Sequence, residues 1–121
     1  MRRVKITLTT AADGTVIGYT PQVAGKLHAI HYVKTDFANG VDFDITSEAT
    51  GESLWTEQNV NASTSRYPRQ ATHSNAGVAA LYAAGGTAVQ AVPALAQDRI
   101  KISIAQGGDT KTGAFHFLID N

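Results

Sequence analysis

Val4-Lys5-Ile6-Thr7-Leu8-Thr9 alternates apolar and polar side chains with a period of two, the spacing that lays one face of a β-strand on a core and turns the other to water. Residues 99–105 repeat it, with Ile100, Ile102 and Ile104 opposed to Arg99, Lys101 and Ser103. Residues 41–46 do the same, setting Val41, Phe43 and Ile45 against Asp42, Asp44 and Thr46. Beyond the first strand, Ala12-Asp13-Gly14-Thr15 has the composition of a tight hairpin turn, because Asp and Gly tolerate positive φ. This predicts that 15–19 returns as a second strand. Residues 26–35 are apolar or aromatic on both alternating sets, which predicts a strand covered on both faces. Asn39-Gly40 is another turn signal, so the segments around Ile30 and Phe43 are expected to be neighbouring antiparallel strands.

The rest of the chain follows the same grammar. Thr50-Gly51 marks a turn before a short strand at 53–56, and Gln106-Gly107-Gly108-Asp109 leads into a last strand at 113–119. Residues 57–76 are rich in Asn and Ser and read as a long loop, with an irregular edge strand as the alternative. Residues 78–84 fit a strand or a short helical turn equally well, since Ala favours helix while Gly77 and Gly85-Gly86 leave room for about two turns. Residues 87–92 are a further strand candidate ended by Pro93. Nothing supplies an amphipathic helix for a parallel crossover. The expected fold is all-β, an antiparallel β-sandwich or jelly roll of about seven to nine short strands, forming a single domain over residues 1–121.

Composition narrows the function. Ten basic and ten acidic residues cancel, so no net field steers the chain to nucleic acid or an anionic membrane, and direct binding to either is not expected. Arg2-Arg3 at the start is most simply a solvated pair. There is no cysteine, which removes disulfides and thiolate metal sites. No apolar run has signal-peptide or membrane-spanning length, so a soluble, unsecreted product is expected. The large core fillers number only four Phe, four Tyr and one Trp. A thin core in a small domain raises the expectation of support from assembly.

No set of residues carries a recognisable catalytic chemistry. His28 and His31 are three apart and, on a strand, point to opposite faces, so they do not converge on a metal without a bulge. His116 lies between Phe115 and Phe117 and is expected to face solvent or a partner. Asp42 and Asp44 share a strand face, but no calcium loop accompanies them, and a solvated face is the simpler expectation. No nucleophile elbow occurs, and Gly85-Gly86 and Gly107-Gly108 are expected to be hairpin glycines rather than phosphate cradles. No enzyme activity, cofactor or metal is therefore expected.

The best candidate for a contact surface is Ser65-Arg66-Tyr67-Pro68-Arg69-Gln70. Arg66, Tyr67 and Arg69 are interface-anchor types, and Pro68 lowers the entropy lost on docking. A loop packed on its own sheet is the alternative. His73 is the histidine freest to touch another molecule, and Trp55 is expected in the core or at a subunit interface.

Four segments, Ile30-His31-Tyr32-Val33-Lys34-Thr35-Asp36-Phe37, Glu48-Ala49-Thr50-Gly51-Glu52-Ser53-Leu54-Trp55, Arg69-Gln70-Ala71-Thr72-His73 and Ala105-Gln106-Gly107-Gly108, give the chain a likeness to a known family. It resembles the capsid decoration, or cement, proteins of tailed bacteriophages. The resemblance implies a homo-oligomer, dimer or trimer, on the outer surface of the virion head, clamping subunits of the major capsid protein. A β-module of the tail, neck or a fibre, with receptor or carbohydrate binding, is the alternative.

Overall fold

A computed structural model describes residues 1–81, 83, 84, 86 and 89–120. The described residues contain eleven strands and no helix: β1 (Arg2–Thr9), β2 (Val16–Tyr19), β3 (Val23–Lys34), β4 (Val41–Ser47), β5 (Ser53–Val60), β6 (Thr64–Arg66), β7 (Gln70–Ala71), β8 (Gln90–Ala91), β9 (Ala94–Asp98), β10 (Ile100–Ala105) and β11 (Thr112–Asp120). They form an all-β, antiparallel sandwich. One sheet runs β1-β11-β3-β6, with β9 also on β3; the other runs β2-β10-β4-β5; β7 and β8 pair by themselves.

The alternating segments are strands, but the turns between them connect differently from the sequence expectation. β1 pairs with β11 and β2 with β10, so the Asp13-Gly14 turn carries the chain from one sheet to the other. Leu8 and Gly18 face each other across that arch, and there is no room for a side chain at Gly18 against Leu8. The segments around Ile30 and Phe43 are likewise not neighbours in one sheet. Instead Tyr32 of β3 meets Phe43 of β4 across the core, ring centroids 4.7 Å apart. The Gly107-Gly108 turn makes a third crossing, from β10 to β11. Only Thr50-Gly51 closes an ordinary hairpin, β4 to β5.

These three crossings each use six residues, 10–15, 35–40 and 106–111, while the chain also changes sheet between β2 and β3, β5 and β6, and β9 and β10. An Asp-Gly or Asn-Gly pair forms a hairpin when the strands run up to the turn residues themselves; here the strands stop short, which frees the chain to change layer. The three arches are tied together at one end. The Gly107 amide donates to the Gly14 carbonyl at 2.9 Å, and the Ala38 amide donates to the Gly107 carbonyl at 2.9 Å. Buried Thr10 completes the junction, its hydroxyl donating to the Gly108 carbonyl at 2.6 Å and accepting the Lys111 amide at 2.8 Å.

The core is richer in aromatic contact than the composition suggests. Phe37, Phe43, Phe115, Phe117, Tyr32 and Trp55 are all buried. Phe43 lies 5.0 Å from Phe115 and 5.2 Å from Trp55, and Tyr32 lies 5.3 Å from Phe115, spacings at which edge-to-face and tilted pairs add to plain burial. β3 is covered fully on its inner side by this cluster. On its outer side Ala29 is buried, His31 is half-buried and Val33 is exposed, so it is covered on both faces only in its middle.

Residues 57–76 are not one loop. β5 continues to Val60, and β6 is a short edge strand on β3. Residues 78–81 form neither regular strand nor helix; His73 and Ala79 make an isolated antiparallel bridge. The strand expected at 87–92 is reduced to β8, with 87 and 88 outside the described residues, as is 82 within the 78–84 segment.

Two substitutions test the packing. The Tyr32 hydroxyl is buried without a hydrogen-bond partner, and burial pushes its pKa up to about 12. Tyr32→Phe removes an unpaired polar group, and denaturant melts should show unchanged or slightly raised stability, by up to about 1 kcal/mol. A methyl group on Gly107 would lie 2.8 Å from Thr10 Cγ2. Gly107→Ala should therefore cost about 1–3 kcal/mol in the same melts.

Candidate functional site: a braced margin and a free arm

The residues singled out in the sequence fall along one margin of the sandwich, where β5 and β6 approach from opposite sheets. Trp55 on β5 is buried, and its indole Nε1 donates to Glu57 Oε1 at 3.1 Å. Arg66 on β6 grips the same carboxylate with two bonds of 2.8 Å, from Nε to Oε1 and from Nη2 to Oε2. The guanidinium also lies 5.7 Å over the Trp55 ring. This fork of two parallel bonds is the strong geometry for an Arg–carboxylate pair. The Arg66 hydrogen bonds, helped by Trp55, hold the Glu57 carboxyl below its ordinary pKa, and Glu57 in turn raises that of Arg66. Trp55 and Arg66 thus brace the two sheets, with the Arg66 side chain still 41% exposed.

The next residues wrap the outer face of β3. That strand carries a bulge: Ala29 pairs with Leu118 and Leu27 with Ile119, leaving His28 unpaired. The condition under which His28 and His31 can turn toward one side is therefore met. Their common neighbour is Tyr67, whose ring meets His28 edge-on at 6.3 Å and His31 at 6.5 Å. Among the described residues no three metal-ligating side chains converge. Pro68 is buried, and Arg69 Nη1 donates to the Pro68 carbonyl at 2.6 Å and the His28 carbonyl at 3.2 Å. Tyr67, 57% exposed, is thus the presented member of the predicted loop.

Across the sheet from Tyr67 runs a row of directly opposed residues, Lys5, His116, His31 and Ser65. His31 Nδ1 and the Ser65 hydroxyl share a hydrogen bond of 2.5 Å. His116 projects outward as expected, yet it is half-buried and its Nδ1 has no partner. Burial first, then the nearby charges of Arg3 and Lys5 on β1 and the His31 ring on β3, push its pKa below the ordinary value. Asp42 and Asp44 do share a face of β4, where Asp42 Oδ1 accepts the Asn59 amide and Asp44 Oδ1 accepts the Thr56 hydroxyl, both at 3.0 Å. They are acceptors on an interior strand of the other sheet, and both of their donors lie on β5.

What the sequence reading missed is the arm that follows. Residues 67–93 leave the sandwich between β6 and β9, both of which lie on the same side of β3. The base is pinned by Arg69 at the His28 bulge and by the Leu27 amide donating to the Pro93 carbonyl at 2.9 Å. Beyond the β7–β8 pair, the Thr72 amide and hydroxyl both donate to the Val89 carbonyl, at 2.7 and 3.0 Å, and the Ala80 amide donates to the Thr72 carbonyl at 2.7 Å. His73 sits exposed on this arm. So do Val78, 65% exposed, and Leu81, 43% exposed. A signal was present: residues 70–97 contain no Asp, Glu, Lys or Arg, a rare absence for an exposed segment.

No protein-family model matches the chain, and no curated protein matches it.

The histidine row makes a pH prediction. His116 prefers its neutral form in the folded state, so the unfolded chain binds the proton more readily. Its effect on stability is nil above the ordinary pKa of 6.5 and becomes a loss as pH falls below that value toward the depressed folded pKa. Thermal melts between pH 7.5 and pH 5, both arbitrary brackets of the ordinary His range, should show the fall in wild type. In His116→Gln the slope attributable to this group should vanish.

Proposed function

We propose that this chain is a structural protein that binds other protein surfaces through the arm at residues 70–91, and that its setting is the outer surface of a tailed-phage head, as a decoration protein on the major capsid protein. One observation carries the binding reading: an uncharged arm that holds Val78 and Leu81 in water while its base is fixed to the sandwich by hydrogen bonds. Exposed apolar surface of this kind on a small domain marks an interaction site. Tyr67 at the base adds an aromatic anchor held between two imidazoles, so little side-chain freedom is lost when it docks. The capsid setting comes from the resemblance of the four sequence segments to decoration proteins. A sandwich that binds only the expanded, assembled shell would stabilise that state by mass action against the outward pressure of packaged DNA.

A sugar-binding role for a tail, neck or fibre module draws less support. The Trp55 ring, which such a site would use as a stacking platform, is buried under Arg66.

The test has two arms. Cryo-EM reconstruction of the particles should show density for this chain outside the head shell; its absence there overturns the capsid setting. A variant with residues 72–89 replaced by a short Gly-Ser turn should keep the β circular-dichroism spectrum and lose co-sedimentation with expanded shells. Retained co-sedimentation would remove the arm from the contact.

A further inference from the structure

We propose that the outer face of the β1-β11-β3 sheet is a second docking surface, which binds a protein segment rich in Asp and Glu side chains. It goes beyond the arm and does not depend on the arm being a contact.

The charges of this net-neutral chain are sorted between its parts. β1, β3 and β6 contain no Asp or Glu, and β11 contains only Asp120, at its end and opposite Lys26. The other acids lie elsewhere. Asp42, Asp44 and Glu57 belong to the second sheet, Glu48 and Glu52 to the turn between β4 and β5, and Asp13, Asp36 and Asp109 to the arches. Asp98, at the end of β9, is bonded to Ser47 and Ala49. On β1, Val4, Ile6 and Leu8 pack inward, which turns Arg3 and Lys5 outward; both are exposed. The ion pairs among the described residues are Glu57–Arg66 and Glu48–Arg99, so neither Arg3 nor Lys5 is neutralised there.

The row Lys5, His116, His31 and Ser65 crosses this face in register from β1 to β6. His116 faces Arg3 and Lys5 from β1 and His31 from β3; burial, and then these three neighbours, oppose its protonation. A carboxylate laid across the row supplies the missing counter-charge and favours the imidazolium. Val33, two residues from His31, and Tyr67, just past β6, are 42% and 57% exposed, so apolar contact is available beside the charges.

The chemistry favours an acidic protein segment over the other polyanions and over a second copy. Two outward cations in a chain of balanced charge release too few counterions to hold a nucleic acid backbone. In a second copy, the acids on the opposite sheet, Asp42 and Asp44, already accept bonds from Asn59 and Thr56 and share that sheet with Lys101. Lys101 would meet Lys5 or Arg3 as a like charge.

The probe is a peptide of about six glutamates, long enough at roughly 3.3 Å per residue to cross four strands roughly 4.8 Å apart. Titrated into isotope-labelled wild type, it should shift the NMR signals of Lys5, His31 and His116. Binding should tighten about threefold or more from about pH 7.5 to about pH 6, because His116 takes up a proton on docking. Lys5→Glu should weaken binding about tenfold with an unchanged circular-dichroism spectrum. Lys101→Glu makes the same charge change on the other sheet and should leave binding within about twofold of wild type. The variant with residues 72–89 replaced by a Gly-Ser turn should bind the peptide as wild type does. Absence of binding, equal weakening by the two lysine variants, or loss of binding with the arm overturns the assignment to this face. Tighter binding of an oligothymidylate of matched length overturns the partner class. So does a wild-type oligomer on a sizing column that Lys5→Glu splits, since the occupant is then another copy. Co-sedimentation with expanded shells reads the arm separately, so either surface can fail without the other.

Discussion

The structure depends on Tyr32, Phe43 and Phe115 meeting in the gap between the sheets. Each comes from a different strand, and each strand belongs to the sheet that presents its ring inward. Edge-to-face and tilted contacts of this size fix both the separation of the layers and the register of the strands, because sliding a strand by one residue would swap its aromatic for a neighbour from the opposite face. On β11 the neighbours of Phe115 are Ala114 and His116; on β4 those of Phe43 are Asp42 and Asp44. A single-residue slip would therefore bury an Asp on β4, and on β11 either a His or the small Ala114, in place of a ring.

That constraint also explains the arches. Once Phe43 must face Tyr32, the chain cannot return beside β3 after Asn39-Gly40; it has to cross. The same holds for β1 and β2 and for β10 and β11. Three crossings at one end bring three six-residue loops together, and their backbone groups need partners. Gly107 satisfies two neighbours at once through its amide and its carbonyl, and buried Thr10 satisfies a third through its hydroxyl. The outcome is a closed end built almost wholly of backbone hydrogen bonds, and an opposite region from which the arm is free to extend.

Strand identity was legible in the sequence wherever one face alternates, as at 4–9, 41–46 and 99–105. Pairing was not, because Asp-Gly and Asn-Gly report the local φ and say nothing of which layer the next strand joins. Within the candidate site, residue type marked the segment 65–70 but not the contacts that its members make inside the chain. Arg66 and Trp55 have the chemistry of interface anchors, yet Glu57 lies within reach of both and consumes their polar atoms. The bulge at His28 left no mark, since a single extra residue in a strand of mixed apolar and aromatic character preserves the look of a strand. The arm could have been found, had its lack of charge over residues 70–97 been weighed above its poor periodicity.

Charge placement ties the fold to its outer behaviour. Of the acids that pair, Glu57 and Glu48 meet Arg66 and Arg99, and Asp98 accepts the Ala49 and Arg99 amides, so charge is spent on holding margins and turns. The arginines that remain at an edge, Arg2 and Arg3 with Lys5, keep β1 from pairing with a stranger. β2 has no charged residue of its own, but Arg99 stacks 4.2 Å over its Tyr19; the stretch left without charge is the arm. In a chain with no net charge this is where apolar association is least opposed, and it follows that the same economy of charge that closes the sandwich also decides where it stays open.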